Sequence, residues 1–472
     1  MSRLRNDGSR VDASRGAIWV ALLCLLLGGF VLAIHSPGHI SMDTSMQLYE
    51  AMLGKSISWN PPFMSALMRW LGGGEIATAL LVFLTCGLIY GGYALIAFAC
   101  AESGRKIGSW RILIATVVVL NPIVAIYVGI VWKDVIFAAF LCGGTGFGFA
   151  AVRGTKSSRW MCALISAVLL AGAMLARQQG IFMAPVLLVV PILMLADGKN
   201  GSAFWARWLL VPAVFLVSVV TLNVATAATI QGNAGRSTSI GYRSIMIFDM
   251  MGILHNSPLP VEELAYPVPP EIWGAIRQIY KPSRIDTLDL DPAAGNWFGS
   301  LSPMEMRTAW WALLKQNPGA YMHHRVEAYA KLIGLRGMDD TLPVHIGVEG
   351  NPEMLNAMGI SERRDSRDRF VYSIAVRFFD WPIYRHVFWM GMVVVCGAVL
   401  GATKLPRQQR SATALVLLSA GLLYLAYVPT MIAADFRYLF GAMPLVCMAL
   451  ISLLLGSTEK VARSFPRSGT VP

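Results

Sequence analysis

The sequence predicts an all-α polytopic membrane protein with about ten transmembrane helices and both termini inside the cell. Three observations predict it. Of 472 residues, 56% are hydrophobic and only 14% charged, against about 25% charged in an ordinary soluble domain. The apolar residues form blocks of roughly 17–25, the length that crosses a hydrocarbon core about 30 Å thick. Lys and Arg sort with alternate gaps between the blocks, as cytoplasmic loops require.

In chain order the blocks lie near 17–34, 75–100, 111–129, 131–152, 160–176, 180–196, 208–229, 386–402, 411–433 and 437–456. The first has a basic lead but no clear small-x-small cleavage site, so it reads as a span rather than a signal peptide. With the N-terminus inside, every inside segment is basic. These residues are Arg3, Arg5, Arg10 and Arg15; Arg105, Lys106 and Arg111; Arg153, Lys156 and Arg159; Lys199 and Arg207; Lys404, Arg407 and Arg410; and Lys460, Arg463 and Arg467. The short outside turns hold little beyond Lys133, Arg177 and Arg437. The chain therefore divides into a cytoplasmic tail (1–16), a transmembrane module (17–229) with a first outer loop (35–74), a long extracytoplasmic segment (230–385), C-terminal transmembrane helices (386–456) and a second tail (457–472).

The net charge of +12 is explained by this sorting. The basic residues are scattered between spans, so no nucleic-acid partner is expected; membrane lipids are. The cysteines Cys24, Cys86, Cys100, Cys142, Cys162, Cys396 and Cys447 all fall in apolar blocks. They read as small buried hydrophobes, not as a disulfide framework or a zinc site.

The first outer loop carries a helical pattern from Asp43 to Leu53, then Trp59-Asn60-Pro61-Pro62 and a second amphipathic stretch. Both helices are expected to lie along the membrane surface. The long segment is expected to be mostly helical. Within it, Ser302, Pro303 and Glu305 form a helix start: Ser caps, Pro occupies N1, and Glu at N3 reaches back. That helix is expected to pass through Trp310 and Trp311, break at Asn317-Pro318 and resume to about Leu335.

An ionisable residue at membrane depth costs about 2.5–3.5 kcal/mol on insertion scales and marks a candidate site. Four places qualify: Asp43; Lys133-Asp134; Arg177-Gln178-Gln179; and Asp435 with Arg437 and Tyr438. All fall at the outer ends of their helices, so one outer cavity can hold them all. Simpler roles are open to each. Asp43 can cap a helix; Lys133 and Asp134 can pair locally at a helix start; Arg177 and Arg437 can snorkel to headgroups. His323-His324 reads as a solvated surface pair, because adjacent positions do not share a helix face. Asp339-Asp340 and the charged run 362–369 read as solvated charge. A carboxylate at the mouth of such a cavity can take the proton of an attacking hydroxyl, and burial in an apolar wall is expected to raise its pKa. Arg forks suit a departing phosphate.

The outer segments resemble those of the GT-C superfamily, membrane glycosyltransferases that use polyprenyl-phosphate sugars. The nearest in pattern are bacterial relatives of the protein mannosyltransferases and the lipid A aminoarabinose transferase. The resemblance rests on Asp43, Gln47 and Glu50 followed by Gly54 and Trp59-Asn60-Pro61-Pro62-Phe63. It also rests on Asn121-Pro122 with Trp132-Lys133-Asp134, on Arg177 ahead of Gly180, on Asn317-Pro318 with Tyr321 and Arg325, and on Asp435, Arg437 and Tyr438. It implies a GT-C-like fold and an inverting sugar transfer at the outer face of a bacterial inner membrane, with Asp43 as catalytic base and Asp134 as a second acidic residue. Arg177 and Arg437 would contact the lipid phosphate, with Lys133, Gln178, Tyr438, Asn60, Gln47 and Arg325 binding substrate. The acceptor would be a glycan, lipid or protein. Asn60 stands where relatives commonly carry His, and Thr44 where some carry a second acid after Asp43. No cofactor is expected, and the missing acid gives no support to a divalent cation. Two alternatives stay open: a ligase or polymerase using a diphosphate-linked glycan, and a lipid or solute transporter.

Overall fold

The computed structural model describes residues 10–58, 60–101, 106–196, 201–232, 234–339, 341 and 343–456. Trp59, Asp340 and, among the inside basic residues, Arg3, Arg5, Arg105, Lys199, Lys460, Arg463 and Arg467 lie outside the described residues. The chain is a multi-pass helical membrane protein. Its described strands are one short antiparallel ribbon, β1 (Arg10–Asp12) against β2 (Lys106–Gly108).

The membrane helices follow the apolar blocks. They are α1 (Ala13–His35), α4 (Gly74–Cys100), α5 (Ser109–Val119) with α6 (Pro122–Tyr127), α7 (Lys133–Ala150), α8 (Lys156–Ala176), α9 (Gly180–Met194) and α10 (Gly201–Thr229). Between α1 and α4 come α2 (Met42–Leu53) and α3 (Pro62–Trp70). Among the described residues eight helical segments are long and apolar enough to cross a membrane, and α9 is shorter. The third block is broken at Asn121-Pro122. Asn121 turns its side-chain oxygen onto the amide of Ile123 (3.0 Å), and Pro122 starts the new helix at N1.

Helix α7 lies at the centre, almost all of its residues buried. Its glycines let its neighbours approach closely, as small residues do between membrane helices. A Cβ on Gly146 would stand 2.6 Å from the Cα of Gly92 in α4.

The long segment is helical as expected: α11 (Ala234–Asn256), α12 (Pro270–Ile279), α13 (Pro292–Ser300), α14 (Pro303–Gln316), α15 (Pro318–Leu332), α16 (Pro352–Ala357) and α17 (Ser366–Val376). The Ser302–Glu305 capping box is formed on both sides, and the break falls at Asn317-Pro318. The chain then returns through α18 (His386–Ala402), α19 (Arg407–Thr430) and α20 (Ala442–Gly456); α18 is short, whereas α19, and α20 joined to the 3-10 turn Phe436–Leu439 before it, are long enough to cross a membrane.

The two ends of the bundle differ in chemistry. At one end the β1–β2 ribbon joins the N-terminal segment to the turn before α5. There Arg153 meets the carbonyl of Ala101, Arg159 that of Met194 at 3.1 Å, and Gln408 that of Ala196 at 2.7 Å. The segments assigned inside thus gather at one end, and the four candidate acid–base sites gather at the other.

Candidate active site

The site is assembled on the backbone between α1 and α2. His39 and Ile130 form a parallel bridge, which lays residues 39–41 beside the Ile130–Trp132 stretch. Trp132 Nε1 donates to Ser41 Oγ (2.8 Å), and Thr44 Oγ1 donates to the Val131 carbonyl (2.7 Å). The start of α2 is thereby fixed against the start of α7, which sets Asp43 near Lys133.

His39 secures the same stretch from behind. The amide of Gly347 donates to its Nδ1 (3.1 Å), so the neutral ring carries its proton on Nε2, which faces His35 Nδ1 at 2.8 Å. Burial, reinforced by the neighbouring histidines and Arg367, holds the His39 pKa well below the usual imidazole range. Asp368 Oδ1 lies 3.7 Å from His39. Asp368 is buried, which corrects the reading of residues 362–369 as uniformly solvated charge.

Asp43 does not cap α2; the N-cap is Ser41. Its Oδ2 takes a charged hydrogen bond from Arg437 Nη1 (2.7 Å), and its side chain is 32% exposed. Burial alone would raise this carboxyl, but the charges of Arg437 and Lys133 and the Arg437 hydrogen bond win, and the pKa lies below its usual value. The expectation of a raised pKa is therefore corrected: the apolar wall is outweighed by the charges of Arg437, Lys133 and, to a smaller degree, Arg177.

Arg437 is divided between two acids. Its Nη2 reaches Asp435 Oδ2 at 3.1 Å, and its guanidinium lies over the Trp132 ring at 4.8 Å. Asp134 lies deeper, almost without exposure, in direct contact with Arg177. Arg177 Nη2 also donates to Tyr427 Oη (2.5 Å) and stands 5.2 Å from the Tyr438 ring, which stacks on Tyr427. Lys133 does not pair with Asp134; its ammonium meets Asn60 Oδ1.

The structure thus brings Asp43, Lys133, Asp134, Arg177, Arg437, Tyr438 and Asn60 together, with Gln47 buried one turn along α2 from Asp43. Two expected residues are elsewhere. Gln178 is exposed, and its neighbour Gln179 receives the Arg177 Nε at 3.3 Å. Arg325 is buried in a separate cluster, pairing with Asp249 (2.6 Å) and donating to the Met431 carbonyl (2.7 Å). His324 joins that cluster, 3.6 Å from Asp249 and 2.7 Å from Tyr280 Oη. It is fully buried, so the reading of His323-His324 as a solvated pair fails for His324.

Sequence reasoning missed Trp132 and Tyr427 as guanidinium platforms and Asp249 as the partner of Arg325. The aromatics sit in apolar runs and carry no signal of their own. Asp249 has only its position inside an otherwise apolar stretch of α11. Among the described residues no group of three or more His, Cys, Asp or Glu side chains is placed to hold a metal ion.

No family model and no curated protein matches the chain. Among solved structures it is similar to ArnT from Cupriavidus metallidurans in the apo state, with 14% identity over 94% of this chain and 78% of that one, at a TM-score of 0.32. The same protein bound to undecaprenyl phosphate gives 14% identity over 93% and 78%, also at 0.32. The archaeal oligosaccharyltransferase AglB from Archaeoglobus fulgidus, in complex with an inhibitory peptide and a dolichol-phosphate, gives 11% identity over 92% of this chain and 50% of that one, at 0.38.

Proposed function

We propose that this chain is a GT-C-type membrane glycosyltransferase. It moves a sugar from a polyprenyl-phosphate donor to an acceptor hydroxyl on a glycan, lipid or protein, at the outer face of a bacterial inner membrane and with inversion. The observation that supports this most is the pairing of a partly open carboxylate, Asp43, with Arg437 from the far end of the chain (2.7 Å). The sealed Asp134–Arg177 contact lies within the same assembly.

In the reaction, the acceptor oxygen bonds to the anomeric carbon from the face opposite the phosphate. Its proton passes to Asp43, and the bond from the anomeric carbon to the phosphate oxygen breaks. The departing lipid phosphate takes that electron pair and is met by Arg437 and Lys133. In the resting protein Arg437 occupies Asp43 and Asp435. Donor phosphate competes for this guanidinium, and as Arg437 turns to it the Asp43 carboxylate is released to accept a proton. Asp134 holds Arg177 in place rather than acting as a second base, since its carboxylate is buried against that guanidinium. No step requires a metal ion.

The test is transfer of labelled sugar from a polyprenyl-phosphate donor in isolated membranes. Loss of a positioned general base costs about 10²–10⁴ in rate, so Asp43→Asn should lose at least about a hundredfold while keeping its expression level. Wild-type transfer by Asp43→Asn would remove Asp43 from the chemistry.

A further inference from the structure

Among the described residues, two buried amides of the candidate site have donors with no acceptor. Asn60 is fully buried, and its Oδ1 meets the Lys133 ammonium. An ammonium only donates, so the amide orientation is fixed and the Nδ2 must face away from Lys133. That Nδ2 has no hydrogen-bond partner, and neither has Nε2 of Gln47, which is 1% exposed.

The nearest acids are already engaged. Glu50 accepts from the amides of Ile57 (2.8 Å) and Ser58 (2.7 Å) and from Ser65 Oγ (2.7 Å). Asp43 accepts from Arg437. Asp43, Gln47 and Glu50 follow one face of α2 at helical spacing, and the carboxylates of Asp43 and Glu50 are both among the charges acting on Lys133. Gln47, between them, therefore looks toward the same space as Lys133 and Asn60. Folded proteins rarely leave buried donors unpaired, so two in one candidate site call for acceptors from a ligand.

The position selects the ligand. Phosphate belongs with the guanidiniums on the Arg437 side of Asp43. Gln47 lies about one 5.4 Å helical turn farther along α2 from Asp43. The charged phosphate oxygens are matched by the cations, and neutral amide donors match the neutral hydroxyl oxygens of the sugar ring that the phosphate carries. We propose that Asn60 Nδ2 and Gln47 Nε2 form the sugar subsite of this protein and donate to ring hydroxyl oxygens of the transferred sugar, making both residues determinants of sugar specificity. This rests on the transferase reading above.

The experiment measures binding of two kinds of probe to the full-length protein in lipid nanodiscs. One is bare polyprenyl phosphate; the other is a set of polyprenyl-phosphate hexoses (glucose, galactose and mannose). Wild type should bind at least one hexose carrier more tightly than the bare lipid. Gln47→Met keeps the volume, and Asn60→Asp keeps the oxygen for Lys133; each removes one donor. A subsite built to pair a hydroxyl discriminates strongly, so each variant should lose about tenfold or more in affinity for the preferred carrier. In Gln47→Met, affinity for the bare lipid should stay within about twofold, well under the tenfold that corresponds to 1.4 kcal/mol; in Asn60→Asp, whose added charge on Lys133 weakens phosphate binding by both probes, the ratio of carrier to bare-lipid affinity should fall about tenfold. Equal weakening of both probes, or no weakening of either, overturns the subsite. Lack of any hexose preference in wild type also overturns it but leaves the transferase reading intact. Failure of wild type to bind any of these lipids overturns the transferase reading and the subsite together.

Discussion

At the residue scale, Asp43 sits between opposing influences. Burial favours its neutral form, while Arg437 and Lys133 favour the carboxylate, and the net pKa is depressed. A carboxyl with a depressed folded pKa adds stability above its unfolded pKa and loses it as pH falls through the folded value. Below about pH 4, the usual Asp range, wild type should therefore lose thermal stability more steeply than Asp43→Asn; parallel acid profiles of Tm in detergent would contradict the pairing. Arg437→Lys retains charge but not the planar fork shared by two carboxylates and a Trp face. It should lower kcat in the labelled-sugar assay by about tenfold or more, and unchanged kcat would show that the fork is not used. The ionisable members of the site were legible because charge at the end of an apolar helix is costly and therefore conspicuous. Their partners were not: that Lys133 would choose Asn60 over Asp134, and Arg177 take Gln179 over Gln178, depends on side-chain directions that spacing alone leaves open.

At the element scale, the loop from α2 to α3 depends on Glu50. A buried carboxylate that accepts two loop amides and one hydroxyl fixes the path that delivers Asn60 to Lys133. Glu50→Ala leaves those donors unpaired at about 1–3 kcal/mol for a buried group, so Tm should fall, and transfer should fall with it. The turn carrying Asp435 and Arg437 is held from the long segment. Arg325 donates to the Met431 carbonyl (2.7 Å), the amide of Ile285 to that of Ile432 (2.9 Å), and the amide of Ala434 to that of Ser283 (2.6 Å). Breaking a buried ion pair by removing one partner costs about 3–5 kcal/mol. Asp249→Ala, which strips Arg325 of its acid, should therefore be far less stable than an exposed substitution such as Lys315→Ala, as thermal unfolding in detergent would report. The start of α14 was legible from Ser302, Pro303 and Glu305, since a capping box is local chemistry. The Asp249–His324–Arg325 cluster was not, because α11 and α15 lie more than sixty residues apart in sequence and only folding brings them together.

At the scale of the whole molecule, the helices were the most legible feature. Membrane thickness fixes their length, so the apolar blocks became helical segments; among the described residues eight are long and apolar enough to cross, one of these broken by Asn121-Pro122, and two are shorter. The sorting of basic residues corresponds to a physical end of the bundle, where the β1–β2 ribbon and the Arg153, Arg159 and Gln408 contacts gather. The central claim is that acids and guanidiniums from distant parts of the chain share one cavity at the opposite, outward end. The direct measurement is labelling of Asp43→Cys and Arg437→Cys, each on a background without native cysteines, by a membrane-impermeant maleimide in intact cells. For a Gram-negative host the outer membrane is first made permeable. Both positions should label from outside, and a polyprenyl phosphate should protect both. Labelling of the two from opposite sides of the membrane would contradict the account.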